Sequence, residues 1–210
     1  MTSLVALPVG WVQEGGWLVL RAESGQVLTM DTDRWHGAAS TEERAVLDVV
    51  DAPVIDVGCG PGRLLESLAR RGVPAMGVDS SPAAVALARR RGAAVLQRDV
   101  FGRLPGEGRW ATALLFDGNI GIGGDPTRLL ARCRQLTGGR GRVIAEVGPP
   151  GTGWRALTAW LERDGYRSPS FAWALVGADA VGGLAQAAGL RLILLAATSS
   201  GRRFAHLVAA

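Results

Sequence analysis

In Val54-Ile55-Asp56-Val57-Gly58-Cys59-Gly60-Pro61-Gly62 a short apolar run ends in a turn with three glycines in five positions. The run 53–57 reads as a fully buried strand. Beyond the turn, Leu64, Leu65, Leu68 and Ala69 recur at helical spacing, and Gly72 follows as a C-cap. Missing Cβ atoms at such a strand-to-helix junction let a ligand approach the backbone, and the helix amino end offers free N–H groups. A plain tight turn needs fewer glycines than this one has.

Working outward, apolar runs alternate with helical patterns, the rhythm of parallel βα units. Further strands are expected at 75–78, 94–97, 111–116 and 142–147. Ser81 and Pro82 are an N-cap and an N1 proline for a helix over 83–91, stopped by Gly92. Asp125 and Pro126 open another helix that runs to about 136. A helix over 178–188 ends at Gly189. Strands 190–197 and 203–208 follow, with Ser199, Ser200 and Gly201 between them, as an antiparallel hairpin. Two segments depart from this rhythm. In residues 1–50, strands 17–22 and 26–30 flank a Ser24–Gly25 turn, and a helix follows over 41–50. In residues 149–177, Asp164–Gly165 is a hairpin turn signal between 157–163 and 166–176. A helix over 154–163 fits equally, because Ala156, Leu157, Trp160 and Leu161 share helical spacing. The expected organisation is a single domain over 1–210. Its parts are a hairpin-and-helix lid (1–50), a ligand-binding core (51–148), an insertion (149–177) and a closing helix and hairpin (178–210).

The composition agrees with one well-buried domain: 210 residues, 48% hydrophobic and 20% charged. Apolar runs such as 190–197 fall well short of the ~20 residues that cross a bilayer. Pro8, Gln13 and Glu14 interrupt any signal-like apolar stretch, so a cytoplasmic location is expected. Cys59 and Cys133 make neither a disulfide framework nor a metal-ligand spacing. The net charge is +4, and all 23 basic residues are arginine. They are scattered among 19 acids, which argues against a nucleic-acid groove. The triplet Arg89-Arg90-Arg91 reads as a solvated helix end that offsets the helix dipole.

The dinucleotide fingerprint G-x-G-x-x-G fits poorly, since its third glycine would fall at Arg63. The pattern Asp56-Val57-Gly58-Cys59-Gly60-Pro61-Gly62 instead resembles motif I of the class I S-adenosylmethionine-dependent methyltransferases, and the resemblance runs over roughly 53–147. It implies an α/β, Rossmann-like sheet of seven strands with a reversed last strand, extended here by the two hairpin segments. It also implies S-adenosyl-L-methionine as cofactor, with no metal. Asp79 matches the acid that holds the ribose hydroxyls, with Ser80 beside it. Asp99 in Arg98-Asp99-Val100-Phe101 matches the acid near the adenine amino group, with Val100 against the ring. Asp56, Gly58, Gly60 and Gly62 match the part that holds the methionine end. The ligand explains the acids: it lacks phosphates and needs acceptors for an ammonium and a diol.

The loop Phe116-Asp117-Gly118-Asn119-Ile120-Gly121-Ile122-Gly123-Gly124-Asp125 follows the fourth core strand, where the resemblance places the transferring methyl. Its four glycines are expected to leave room for a substrate, and Asp117 and Asn119 to orient a nucleophile or bind cofactor. The Asn/Asp-Pro-Pro-aromatic signature of amino-methylating nucleic-acid enzymes is missing here, and Gly148-Pro149-Pro150-Gly151 lies after the fifth strand instead. Trp11, Trp17 and Trp35 fall in the first accessory segment, and Trp154, Trp160 and Trp173 in the second. Two readings stand: an aromatic wall over the cofactor with Trp35 and Trp173 against the substrate, or tryptophans that glue accessory pieces to the sheet. His36 is the candidate general base, since a histidine near pH 7 suits deprotonation of a hydroxyl or amine. Cys59 reads as small packing inside the loop. The expected reaction is in-line methyl transfer to an oxygen or nitrogen of a small organic acceptor. The alternatives are RNA or protein methylation, and a cofactor-binding regulatory protein without transfer.

Overall fold

The computed structural model describes residues 16–210. In chain order the elements are β1 (Trp17–Ala22), β2 (Val27–Asp31), α1 (Asp33–His36), α2 (Thr41–Leu47), β3 (Val54–Val57), α3 (Arg63–Arg70), β4 (Ala75–Asp79), α4 (Pro82–Arg90), β5 (Val95–Gln97) and β6 (Thr112–Leu115). There follow α5 (Pro126–Thr137), β7 (Arg142–Val147), β8 (Trp154–Arg163), β9 (Tyr166–Arg167), β10 (Phe171–Val176), α6 (Val181–Ala187), β11 (Leu190–Ala197) and β12 (Arg203–Ala209).

Seven strands form the main sheet in the order β11-β12-β7-β6-β3-β4-β5. β3 to β7 pair in parallel, and β12 runs antiparallel to both β7 and β11. This is the expected seven-stranded sheet with its reversed last strand. Its strands are short and apolar because both faces are covered. Ile55, Val57, Ala113 and Leu115 pack toward α5 and α6, while Val54, Leu114, Phe116 and Phe204 pack toward α2 and α3. Helix starts follow the local chemistry. Ser40 and Glu43 form a reciprocal capping box on α2, at 3.1 and 2.9 Å. The Asp125 carboxylate accepts from the Arg128 N–H at 2.9 Å, ahead of the N1 proline of α5. α6 starts at Val181 rather than 178.

The two accessory hairpins are not separate. They join into a second antiparallel sheet, β10-β8-β1-β2, with β9 on β8. The seam is β1 against β8, with Leu20 opposite Leu161 and Arg21 opposite Trp160. Residues 154–163 are therefore a strand. Leu157 and Leu161 suit either period, but Ala159 between them is buried as well, so the buried positions alternate. Ala159 and Leu161 pack with Leu18, Leu20 and Phe171 on one face of this accessory sheet. Among the described residues, no helix is long and apolar enough to cross a membrane.

Candidate functional site

The carboxyl ends of β3, β4, β5 and β6 open into a cleft, as expected of a parallel α/β sheet. It has two lobes that share Gly58, Asp79, Ile122 and Phe171. The smaller lobe, about 470 Å³, lies against Asp79, Ser80, Asp99, Val100 and Phe101. The larger, about 920 Å³, has Gly58, Gly60, Arg63, Asp79, Asp117 and Asn119 on its floor. Leu20, Met30, Trp35, Leu161, Phe171 and Trp173 form its roof.

The floor is held by backbone and carboxylate contacts. Asp79 accepts from the N–H of Gly60 at 2.9 Å and of Ser81 at 2.8 Å, so it ties the glycine loop to β4. Burial pushes its carboxyl up, against the pull of the Ser81, Gly60 and Ser80 N–H groups. Asp99 accepts from the Phe101 N–H at 3.0 Å and is exposed, while Val100 is buried. Gly58 has φ +72°, and a Cβ there would stand 2.6 Å from Asn119 Nδ2. That amide donates to the carbonyls of Val57 (3.0 Å) and Gly58 (2.9 Å). Gly58 is thus required by the fold of the loop as well as by any ligand.

Asp56 lies beneath this loop, 2% exposed, and its Oδ2 has no hydrogen-bond partner. Burial pushes its carboxyl up to about 7, with Arg63 opposing and the Asp117 and Asp79 carboxylates adding to the rise. An orphaned acid next to a second strained acid favours a cationic ligand with hydroxyl donors. S-adenosylmethionine, with its ammonium, sulfonium and ribose diol, fits that demand.

Asp117 and Asn119 reach the cavity but already have partners. Asp117 Oδ2 is 2.6 Å from Arg63, and its Oδ1 is 3.4 Å from Arg34 and 3.7 Å from Arg202. Arg63 also contacts Glu43 at 2.7 Å, and Arg202 contacts Glu43 at 2.9 Å and Glu146 at 2.7 Å. The Asp117 N–H donates to Glu146 at 2.8 Å. Burial alone would raise the Glu43 carboxyl, but the guanidinium of Arg63, with the Ser40 N–H and Arg202, holds it well below the carboxylate range. Asp117 is therefore a structural anion that fixes the loop after β6, and the Asn119 amide pins the glycine loop. Both side chains line the larger lobe, and these contacts hold them there.

Three further placements bear on the expectations. His36 is absent from the cavity lining; its neighbour Trp35 is there instead, and the His36 carbonyl accepts from Arg91. α1 thus brings Trp35, and not His36, to the cavity lining. Of the glycines after β6, Gly118 has open space beside it, but Gly121 and Gly123 are closely packed. Ile120, Gly121 and Ile122 are buried, and a Cβ on Gly121 would collide with the Ala174 carbonyl. A Cβ on Gly123 would stand 2.8 Å from the Phe101 ring. These glycines let the accessory sheet and Phe101 pack down on the loop. Finally, Arg91 of the basic triplet is not merely solvated, since it ties α4 to the His36 and Gly37 carbonyls.

Of the accessory tryptophans, Trp35 and Trp173 line the cavity, with Phe171 edge-on to Trp173 at 6.1 Å. Trp17 and Trp154 are exposed, Trp160 stacks under Arg167, and Trp11 lies outside the described residues. Trp35 and Trp173 are thus the accessory tryptophans among the described residues that line the cavity. Cys59 is buried, and burial pushes its thiol well above the ordinary range, which suits packing rather than nucleophilic attack.

The residues that sequence reasoning missed are Glu43, Arg34, Arg63 and Arg202, and the roof residues Leu20, Met30, Leu161 and Phe171. One signal was available for Arg63. A cation at the first position of a helix opposes the helix dipole, so its presence implies a strong anionic partner.

A family model described as a methyltransferase domain matches residues 54–141. No protein of curated function matches the chain. Among solved structures, an S-adenosylmethionine-dependent methyltransferase from Bacteroides fragilis in complex with S-adenosyl-L-homocysteine is similar, with a TM-score of 0.78 and 16% identity over 96% of this chain and 92% of that one. The glycopeptide N-methyltransferase MtfA complexed with S-adenosylmethionine gives 0.64 at 16% identity, over 83% and 96%. A 1,6-didemethyltoxoflavin-N1-methyltransferase from Burkholderia thailandensis gives 0.56 at 20% identity, over 79% and 73%. These likenesses carry the fold. The domain match falls on the segment that holds Asp56, the glycine loop, Asp79 and Asp99, so this stretch of the chain is similar to a methyltransferase domain.

Proposed function

We propose that the protein methylates a small organic molecule held between the accessory sheet and the carboxyl ends of the core strands. The observation that carries this reading is the division of one cavity into a polar floor and an apolar roof. Every residue that the accessory segments contribute to the larger lobe is apolar: Leu20, Met30, Trp35, Leu161, Phe171 and Trp173. Such a roof selects by shape and aromatic contact, and it offers no basic track for a nucleic-acid backbone. Solved structures of the same fold include a 1,6-didemethyltoxoflavin-N1-methyltransferase with bound 1,6-didemethyltoxoflavin and a glycopeptide N-methyltransferase.

In this reading Asp79 accepts from the ribose hydroxyls, with Ser80 beside it, and Asp99 and Val100 hold the purine. Asp56 lies behind the loop formed by Gly58, Gly60 and Gly62, where the methionine end lies, and a cationic ligand there would draw its carboxyl back toward the charged form. When bound, the cofactor supplies an electrophilic methyl on a positively charged sulfur. Trp35 and Trp173 orient the acceptor and exclude water, so that its oxygen or nitrogen lone pair faces that methyl in line. Transfer would join the acceptor's oxygen or nitrogen to the methyl carbon as the carbon–sulfur bond is given up, leaving S-adenosylhomocysteine and one proton of the acceptor to be released to solvent. Positioning is the main demand, which agrees with a chamber whose ionised groups are engaged in holding the floor.

The test is incubation with S-adenosylmethionine labelled in the methyl group and a panel of small phenols, enols and amines, with RNA and peptide arms alongside. Label in a small-molecule product supports the proposal. Label in RNA or peptide alone would overturn it, and cofactor binding without transfer to any arm would favour a regulatory role.

A further inference from the structure

We infer that Arg132 is a positioning residue for the purine end of the cofactor, acting through the backbone of the loop after β5. The inference rests on the reading of Asp99 and Val100 as the purine wall. Residues 98–111 contain no regular element, so nothing in the sheet ladder fixes the wall they form. Arg132 does so from α5. It is 9% exposed; its Nε donates to the Val100 carbonyl at 2.9 Å and its Nη2 to the Gly102 carbonyl at 2.6 Å. The same Nη2 contacts Glu107 at 2.7 Å, and Glu107 in turn accepts from the Leu104 N–H at 2.9 Å. One turn earlier on the same face, the Arg128 guanidinium lies 4.2 Å from the centre of the Phe101 ring. Val100, Phe101 and Gly102 are therefore each held by an α5 arginine.

The residue choice argues for more than packing. α5 buries Leu129, Leu130, Cys133 and Leu136, and an apolar side chain at 132 would continue that stripe without desolvating a charge. A guanidinium fork, however, can serve two carbonyls and a carboxylate in one fixed geometry, which neither an apolar residue nor an ammonium reproduces. The loop it holds presents Asp99, whose own geometry depends on the Phe101 N–H.

The experiment is calorimetric titration of the full chain with S-adenosylhomocysteine and, separately, with adenosine. The variants are R132M, R132K and E107Q, with R142M as a control for generic loss of an arginine clamp. Arg142 holds Asp51 at 3.1 Å and the Val49 carbonyl at 3.2 Å at the opposite end of the sheet. R132M is expected to weaken both ligands about tenfold or more, the size that follows from losing charge-assisted hydrogen bonds. R132K should fall between R132M and wild type, and it keeps the test open if R132M does not fold. E107Q, which leaves both carbonyl contacts in place, should stay within about threefold of wild type. R142M should lower the melting temperature without changing either affinity. Unchanged affinity in R132M or in a folded R132K, or an equal loss in R142M, overturns the inference. Failure of the wild type to bind S-adenosylhomocysteine would instead bring down the cofactor reading on which it stands.

Discussion

The floor and the roof of the cavity are made by parts of the chain that fold under different constraints. The floor belongs to a parallel sheet whose strands end in charged and glycine-rich turns, each fixed by backbone hydrogen bonds or by arginine pairs. The roof belongs to an antiparallel sheet assembled from two hairpins that lie far apart in sequence, joined where Arg21 meets Glu162 across 141 positions. The floor is polar, over-determined and tuned to one ligand. The roof contributes apolar surface alone. Such a division lets the floor keep one cofactor while the roof changes with the acceptor, the pattern expected when function sits in a site added to a common fold.

The largest effect should come from breaking the floor. R63M leaves Glu43 buried beside Asp117 with its main partner gone, and should cost about 3–5 kcal/mol in urea denaturation. A loss below about 1 kcal/mol would mean that Arg34 and Arg202 suffice, and that the network is less cooperative than its geometry implies. Next is the contact between floor and roof. G121A forces a Cβ into the Ala174 carbonyl and should destabilise by about 1–3 kcal/mol or more, while also weakening acceptor binding as β10 lifts from the loop. Smaller, and confined to the roof, is W173A: it should weaken acceptor binding about tenfold and leave the affinity for S-adenosylhomocysteine unchanged. Equal losses for both ligands would erase the distinction between floor and roof.

Set apart from these substitutions is a pH slope. Asp56 keeps its proton in the folded protein up to about 7, whereas the unfolded chain releases it near 3.8. The folded state then binds more protons between these values, so this residue makes the ligand-free protein less stable as pH rises from about 4 to about 7. D56N should flatten part of that slope, and Asp79, raised in the same direction, accounts for a further part. Denaturation midpoints at pH 5 and pH 8 for both proteins check this.

The floor was legible in the sequence and the roof was not, for physical reasons. Parallel strands are buried on both faces and punctuated by Gly, Pro and Ser, so β3, β4 and β7 stand out. The glycine loop and Asp79 follow directly from them. The ion network has no such local mark. Glu43 looks like the last member of a capping box, which it also is, and its partner Arg202 lies 159 positions away. Leu157 and Leu161 satisfy a helical and a strand period at once, and the pairing of β8 with β1 decided between them. The loop after β6 misled because glycines that admit a ligand and glycines that admit a neighbouring strand are the same residue. Its neighbours distinguish the two cases, and Ala174 is remote in sequence. A lone histidine carries no local mark of where its side chain lies, and of the α1 residues it is Trp35 that lines the cavity.

The most direct test of the account is calorimetric titration with S-adenosylmethionine of the wild-type protein and of D79A. Asp79 is the one carboxylate that both lobes of the cleft share, and it fixes the glycine loop through Gly60. The account predicts micromolar binding to the wild type and a loss of about 100-fold or more in D79A, from the combined removal of ligand contacts and loop support. No binding to the wild type, or equal binding to D79A, would contradict it.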